Sequence, residues 1–151
     1  MESINDYMMK DHVACDAAFE RAADAARRAD WPVLQSQAGA FLTHIARHIE
    51  LEEERLFPAF EESSGMSTGG PTATMRAEHL QMQPLFAQMR STAAAQDAAG
   101  YLEASQALHD ILQQHNMKEE QMMYPMLDQS LGAQAAAAML EECRRALDAP
   151  A

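Results

Sequence analysis

The sequence predicts an all-α protein: an up-down four-helix bundle built from two duplicated helical hairpins, plus a short C-terminal helix. Three observations lead there. Strong helix formers dominate the 151 residues, with apolar bulk drawn from Ala, Leu and 12 Met while aromatics are only 6%. The chain matches itself when shifted by 67 positions, which places His12 on His79 and His48 on His115. Within each copy, apolar residues recur at alternating spacings of three and four, the period of a helix with one buried face.

The repeat is specific in what it matches. Phe19 falls on Phe86, Glu52 on Glu119, Glu53 on Glu120 and Pro58 on Pro125, while Met8, Asp30 and Gly65 fall on Met75, Asp97 and Gly132. Chance overlap in an Ala-rich chain would match mostly Ala. Here the matches are His, Glu and Pro, which marks an internal duplication.

Each copy reads as two helices. Ser3 and Asp6 form a capping box for a first helix over 4–29, whose inward stripe is Met8, His12, Cys15, Phe19, Ala22 and Ala26. Asp30 caps the second helix, with Pro32 tolerated in its first turn, and its stripe runs Leu34, Ala38, Phe41, Ile45, His48, Glu52 and Arg55. This helix is expected to end near Pro58 to Glu62, or to kink at Pro58. Ser63 to Pro71 is the linker. The second copy repeats the stripes as Met75, His79, Met82, Phe86, Met89 and Ala93, then Tyr101, Ser105, Leu108, Leu112, His115, Glu119 and Met122. Pro84 has no counterpart and is expected to kink the third helix. After Gly132 an Ala-rich stretch to about Leu147 forms a short further helix, so residues 1–131 make the bundle and 132–151 a helical extension of the same domain.

Charge and cysteine usage narrow the function. Eleven Lys and Arg against 23 Asp and Glu give a formal charge of −12, a field that repels nucleic acid and anionic membranes. Two distant cysteines, Cys15 and Cys143, suit neither a disulfide scaffold nor a thiolate zinc site. With no signal-peptide pattern at the start and no run of about 18 apolar residues, a cytoplasmic location is expected.

The informative residues are polar ones on apolar stripes: His12, His48, Glu52, His79, His115 and Glu119. A buried carboxylate without a partner costs several kcal/mol. A lone core histidine usually has a bland explanation, but the same arrangement occurs twice at fixed spacing. His48-x-x-x-Glu52 and His115-x-x-x-Glu119 are i,i+4 pairs, so each pair leaves one helix face a turn apart. Four imidazoles and two carboxylates facing one bundle axis are the parts of a carboxylate-bridged dimetal site. Two divalent ions would balance the carboxylates, and this donor set suits iron, zinc or manganese over calcium or magnesium.

On these residues the chain resembles the hemerythrin-like, HHE cation-binding family. The resemblance covers residue 1 to about 131, including the His-x-x-x-Glu and Leu-Phe-Pro motifs within 48–58 and their echo from His115 to Pro125. It implies a non-haem centre of two iron ions, with zinc or manganese as substitutes. His12 and His48 would hold one ion, His79 and His115 the other, and Glu52 and Glu119 would bridge them. Oxygen-carrying members have a further histidine one turn before the third-helix ligand, where this chain has Met75. Their fourth-helix carboxylate is also an aspartate at longer spacing, which keeps Glu120 as an alternative bridge that the internal symmetry disfavours. The resemblance therefore points to binding of, or reaction with, dioxygen, nitric oxide or peroxide in stress or iron and oxygen handling. Rival readings are a metal- or oxygen-responsive sensor without turnover, a ferroxidase- or peroxidase-type enzyme, and a purely structural bundle. Expected partners are the small ligand, a second copy of the chain or an electron-transfer protein.

Several nearby residues read as supporting. His44 lies one turn before His48 and could be a fifth ligand or a partner behind the ligands, but its echo is Ile111, so a boundary position is favoured over ligation. His109 is rotated off the inward face. Glu53 and Glu120 repeat off the stripe and read as a solvated face, with support of the histidine N–H groups as the less favoured alternative. Phe57 and Tyr124 read as packing residues, the Tyr124 hydroxyl being a weaker candidate to reach the site. The Met set reads as adaptable core filler and Cys15 as a small core residue. No ferritin-type Glu-x-x-His pair, zinc-protease motif, P-loop, dinucleotide fingerprint or nucleophile elbow occurs.

Overall fold

The computed structural model describes residues 1–66 and 69–148. Six α-helices form four rods: α1 (Ile4–Arg27), α2 (Trp31–Leu51), α3 (Phe57–Ser64), α4 (Pro71–Ala94), α5 (Ala98–Lys118) and α6 (Tyr124–Leu147). Short π-helical turns at Glu52–Leu56 and Glu119–Met123 join α2 to α3 and α5 to α6 without a break. There is no strand among the described residues. The rod of α1 packs against α2 and α5, and α4 packs against α5 and α2, which closes an all-α bundle. Ser67, Thr68 and residues 149–151, parts of the expected linker and C-terminal extension, lie outside the described residues.

The duplication extends to backbone torsions. Ser3 and Asp6 make the expected capping box at α1. Asp30 and Asp97 accept from the backbone of Val33 and Gly100, capping α2 and α5. Ahead of them, Ala29 and Gln96 adopt left-handed φ of 54° and 55°. This lets the amides of Asp30 and Asp97 bond back to the carbonyls of Ala25 and Thr92, each at 2.9 Å, ending the preceding helices in the same way. The hydroxyls of Ser63 and Ser130, equivalent residues 67 apart, meet at 2.7 Å, so the axis relating the halves passes between them.

The π-helical turns correct the expected register. Each inserts one extra residue per turn, so the buried stripe beyond Glu52 and Glu119 moves on by one position. Arg55 and Met122, placed inside by a constant helical period, are exposed, whereas Leu56 and Met123 are fully buried. The same turns carry Pro58 and Pro125 into the first turns of α3 and α6, so the second rod continues to Ser64. The α4 helix runs through Pro84 with no non-helical residue.

Gly132 interrupts α6 with φ 80° and ψ 167°, re-aiming its C-terminal part along the end of the bundle. There Leu140, Cys143 and Leu147 pack with Ile4, Met8 and Leu51. Asp128 accepts from the amides of Ile4 and Asn5, both at 3.0 Å, satisfying donors that the first turn of α1 leaves free. Arg144 reaches Glu2 at 2.8 Å and Tyr7 donates to Asp148 at 2.5 Å. The core therefore falls into two apolar layers, one around Phe19, Phe41 and Phe86, the other around Phe57, Phe60 and Met75. The polar residues of the stripes lie between them.

Gly132 has a torsion pair that only glycine adopts without strain, so Gly132→Ala should lower stability by about 1–3 kcal/mol. Gly39 is helical and has open space where a Cβ would go. Gly39→Ala should therefore raise stability by about 0.5–1 kcal/mol. Urea unfolding of the metal-free chain checks both signs.

Candidate metal centre

All six expected residues converge on one buried centre. His12 comes from α1, His48 from α2, His79 from α4 and His115 from α5, while Glu52 and Glu119 open the two π-helical turns. The imidazoles are at most 5% exposed and both carboxylates are fully buried. They form two imidazole pairs. The rings of His12 and His48 are 4.9 Å apart, and those of His79 and His115 are 4.8 Å apart.

Each carboxylate spans the two pairs. Glu119 places Oε1 3.2 Å from His12 Nε2 and Oε2 3.2 Å from His115 Nε2. Glu52 places Oε1 3.2 Å from His79 Nε2 and Oε2 3.8 Å from His48 Nε2. Two clusters with metal-ligand spacing result, Glu52–His79–His115–Glu119 and His12–His48–Glu119, and they share Glu119. Glu52 Oε1 and Glu119 Oε2 are buried with no hydrogen-bond donor. An oxygen buried that way is unfavourable, and a cation at this point removes the cost, so the donor set fits divalent metal.

The outer ring nitrogens of His12, His48 and His115 are held by a second set of carboxylates, and a fourth carboxylate stands farther off behind His79, so the set follows the repeat. Asp11 Oδ2 lies 2.6 Å from His48 Nδ1, and Glu78, the equivalent residue, lies 2.9 Å from His115 Nδ1. Glu120 accepts from His12 Nδ1 at 2.6 Å, and its equivalent Glu53 lies 3.6 Å from His79 Nδ1. A carboxylate can only accept, so the Nδ1–H groups of His12, His48 and His115 donate outward, and once the inner proton is displaced their Nε2 lone pairs point inward, the form a metal ligand needs.

This corrects the expectation of a solvated face for Glu120, and it rules that residue out as the inner bridge, since it stands behind His12. The sequence marks Asp11 only as a neighbour of His12 and does not point to Glu78, because the two copies differ there as Asp and Glu. The signal was present in their position, immediately before each first histidine. His44 does not join the inner cluster: its Nε2 lies 2.7 Å from Asp11 Oδ1, so it braces the carboxylate that holds His48. His109 stacks on Phe19 away from the centre.

Tyr124 is a packing residue with a further role. Its hydroxyl lies 2.6 Å from Glu52 Oε2, 2.9 Å from Glu119 Oε1 and 3.4 Å from Nε2 of both His12 and His48. Its equivalent, Phe57, stacks on His79 with ring centres 5.6 Å apart. On the opposite side of the centre a small cavity is walled by Cys15, Ile45, Ile49, Met82 and Leu112, with Asp16 and Asn116 also lining it.

The electrostatics follow from this crowding. Burial lowers the tendency of His12 to hold a proton, but its bonds to Glu119 and Glu120 outweigh that and lift its pKa to about 10. His115 is likewise lifted to about 9, against its burial, by Glu119, Glu52 and Glu78. Burial pushes Asp11 up, yet its bonds to His44 and His48 hold it well below the usual carboxylate range. Glu119 is held low by His115 and His12 against burial, whereas burial and the neighbouring Glu119 charge push Glu52 up.

A model of the hemerythrin HHE cation-binding domain matches residues 3–127, and the chain belongs to that family. No curated protein and no solved structure matches the chain. The matched region contains every residue of both carboxylate sets and all four histidine ligand candidates.

Two outcomes test this centre. His12 and His115 have folded pKa values raised above 6.5 to about 10 and about 9, so the stability they confer on the metal-free chain is full below 6.5. It is lost as pH rises through those folded values. A cation must displace the same protons, so apparent metal affinity should increase with pH over that window, as metal titrations in a pH series will show. Replacing a carboxylate behind a ligand histidine should weaken metal binding by about 10–100-fold. Equilibrium dialysis of Asp11→Ala and Glu78→Ala checks this, and an affinity equal to wild type would contradict it.

Proposed function

We propose that this chain is a non-haem di-iron protein that binds or reacts with a small molecule, namely dioxygen, nitric oxide or peroxide. The observation that carries the reading is the pair of buried carboxylates, each offering one oxygen to each imidazole pair. That arrangement provides a pair of imidazoles for each of two ions and a carboxylate bridge between them. Imidazole with carboxylate at a centre with open coordination places favours iron(II). Iron bound there supplies Lewis acidity and one-electron redox capacity.

The chain's own residues determine what reaches the centre. Ile45, Ile49, Met82 and Leu112 line the cavity on one side, favouring small apolar ligands and restricting water. Asp11, Glu78 and Glu120 fix the orientation of three imidazoles, so the donor geometry is formed before a ligand arrives. Met75, where oxygen carriers have a histidine, is buried against the adjacent apolar layer and offers no nitrogen donor. With one imidazole fewer than a carrier, the His79/His115 position keeps more places for exogenous ligands, which favours reaction or nitric oxide binding over simple reversible carriage.

Elemental analysis of untagged protein from iron-replete cells should find about two irons per chain. Glu52→Ala and Glu119→Ala should lose most of that metal, while His109→Ala keeps it. Equal metal content in all three variants would contradict the assignment. Sustained consumption of peroxide or nitric oxide by the iron-loaded chain, lost in Glu52→Ala, would place the activity among enzymes.

A further inference from the structure

The two halves of the centre differ where Tyr124 stands in place of Phe57. Both side chains are fully buried in the same apolar layer, and both lie directly beneath the ligand cluster. Only Tyr124 carries a donor atom.

The surroundings of that atom are unusual. Two carboxylate oxygens, from Glu52 and Glu119, lie 2.6 and 2.9 Å away, and two imidazole nitrogens, from His12 and His48, both lie 3.4 Å away. In the neutral form that a metal ligand takes, with the Nδ1–H groups of those histidines directed at Glu120 and Asp11, the Nε2 atoms facing Tyr124 are acceptors. Four lone pairs thus converge on a hydroxyl that has one hydrogen to give. A single hydrogen bond does not account for such convergence; a shared cation does.

The spacing agrees. Metal–ligand bonds of about 2.0–2.2 Å put neighbouring donors at right angles on one ion about 3 Å apart. Tyr124's four contacts bracket that value, and the 3.2 Å separations of His12 Nε2 from Glu119 and of His79 Nε2 from His115 Nε2 lie close to it.

Resting on the di-iron reading above, we propose that Tyr124 is a metal ligand of the His12/His48 position alone, so that the two metal positions are chemically unequal. One position has five protein donors, from His12, His48, Glu52, Glu119 and Tyr124; the other has four, from His79, His115, Glu52 and Glu119. Coordination replaces the phenolic hydrogen with the cation, and the proton passes to solvent. The Phe57 ring seals the other position from below without donating, which leaves that ion the greater share of open places on the side of the cavity.

The test uses the full chain loaded with iron and oxidised, with visible absorption and resonance Raman read alongside metal content. Wild type should bind about two irons and show phenolate-to-iron charge transfer with enhanced tyrosine ring modes. Tyr124→Phe should lose that absorption and weaken the tighter of two binding steps by about 10–100-fold, bringing the steps together. The wild-type spectrum decides the matter even if the variant does not fold. Two bound irons without phenolate absorption overturn this proposal and leave the di-iron reading standing, as does a Tyr124→Phe chain with unchanged spectrum and binding steps. A wild-type chain that takes up no metal overturns both.

Discussion

The structure depends on one constraint: two carboxylates and four imidazoles are buried at the middle of a helical bundle. Glu52 and Glu119 have no exposed surface, and one oxygen of each lacks a donor. Ion burial on this scale costs several kcal/mol per group unless opposite charge is present. The neighbouring features reduce that cost. Imidazoles face the carboxylates, further carboxylates hold the imidazoles, and a cation fits the inward-facing lone pairs. Raised pKa values at His12 and His115 express the same balance in the metal-free chain, where protons take up the positive role.

The duplication gives this constraint its geometry. Neither half is complete by itself: His12 of the first copy meets Glu119 and Glu120 of the second, and His79 of the second meets Glu52 and Glu53 of the first. Assembly of the halves and assembly of the centre are thus one event. The π-helical turns belong to this scheme, since each begins at one of the two buried glutamates and shifts the apolar register below it. Departures from symmetry are then informative. Tyr124 against Phe57 puts a hydroxyl beside the carboxylates in one half only, while the chain after Gly132 has no equivalent in the first copy and packs over the open end of the bundle.

Much of this was legible in the sequence because it lies in local periodicity. The helices around His12, His48, His79 and His115 follow from apolar spacing, and the caps at Ser3, Asp30 and Asp97 follow from residue type. The six inner residues stood out because polar groups on an apolar stripe repeat 67 positions apart, and the coordinates bring those residues together. The register below Glu52 and Glu119 was not legible. A π-helical turn has no residue signature as strong as a proline or glycine, and a constant helical period placed Arg55 and Met122 inside.

The sequence by itself determined the all-α class, the duplication and which six polar residues face inward, since each is written in spacing along one chain. Only the tertiary structure decided which carboxylate serves which imidazole. Asp11 and Glu78 sit beside His12 and His79 in sequence, yet they hold His48 and His115 on the neighbouring helices. Helical periodicity tells which face a side chain occupies, but not which partner stands opposite, because that depends on the rotation and height of two packed helices. Tyr124 shows the same limit: its stripe position marks it as buried, and only the packing of four helices around its hydroxyl makes it part of the centre.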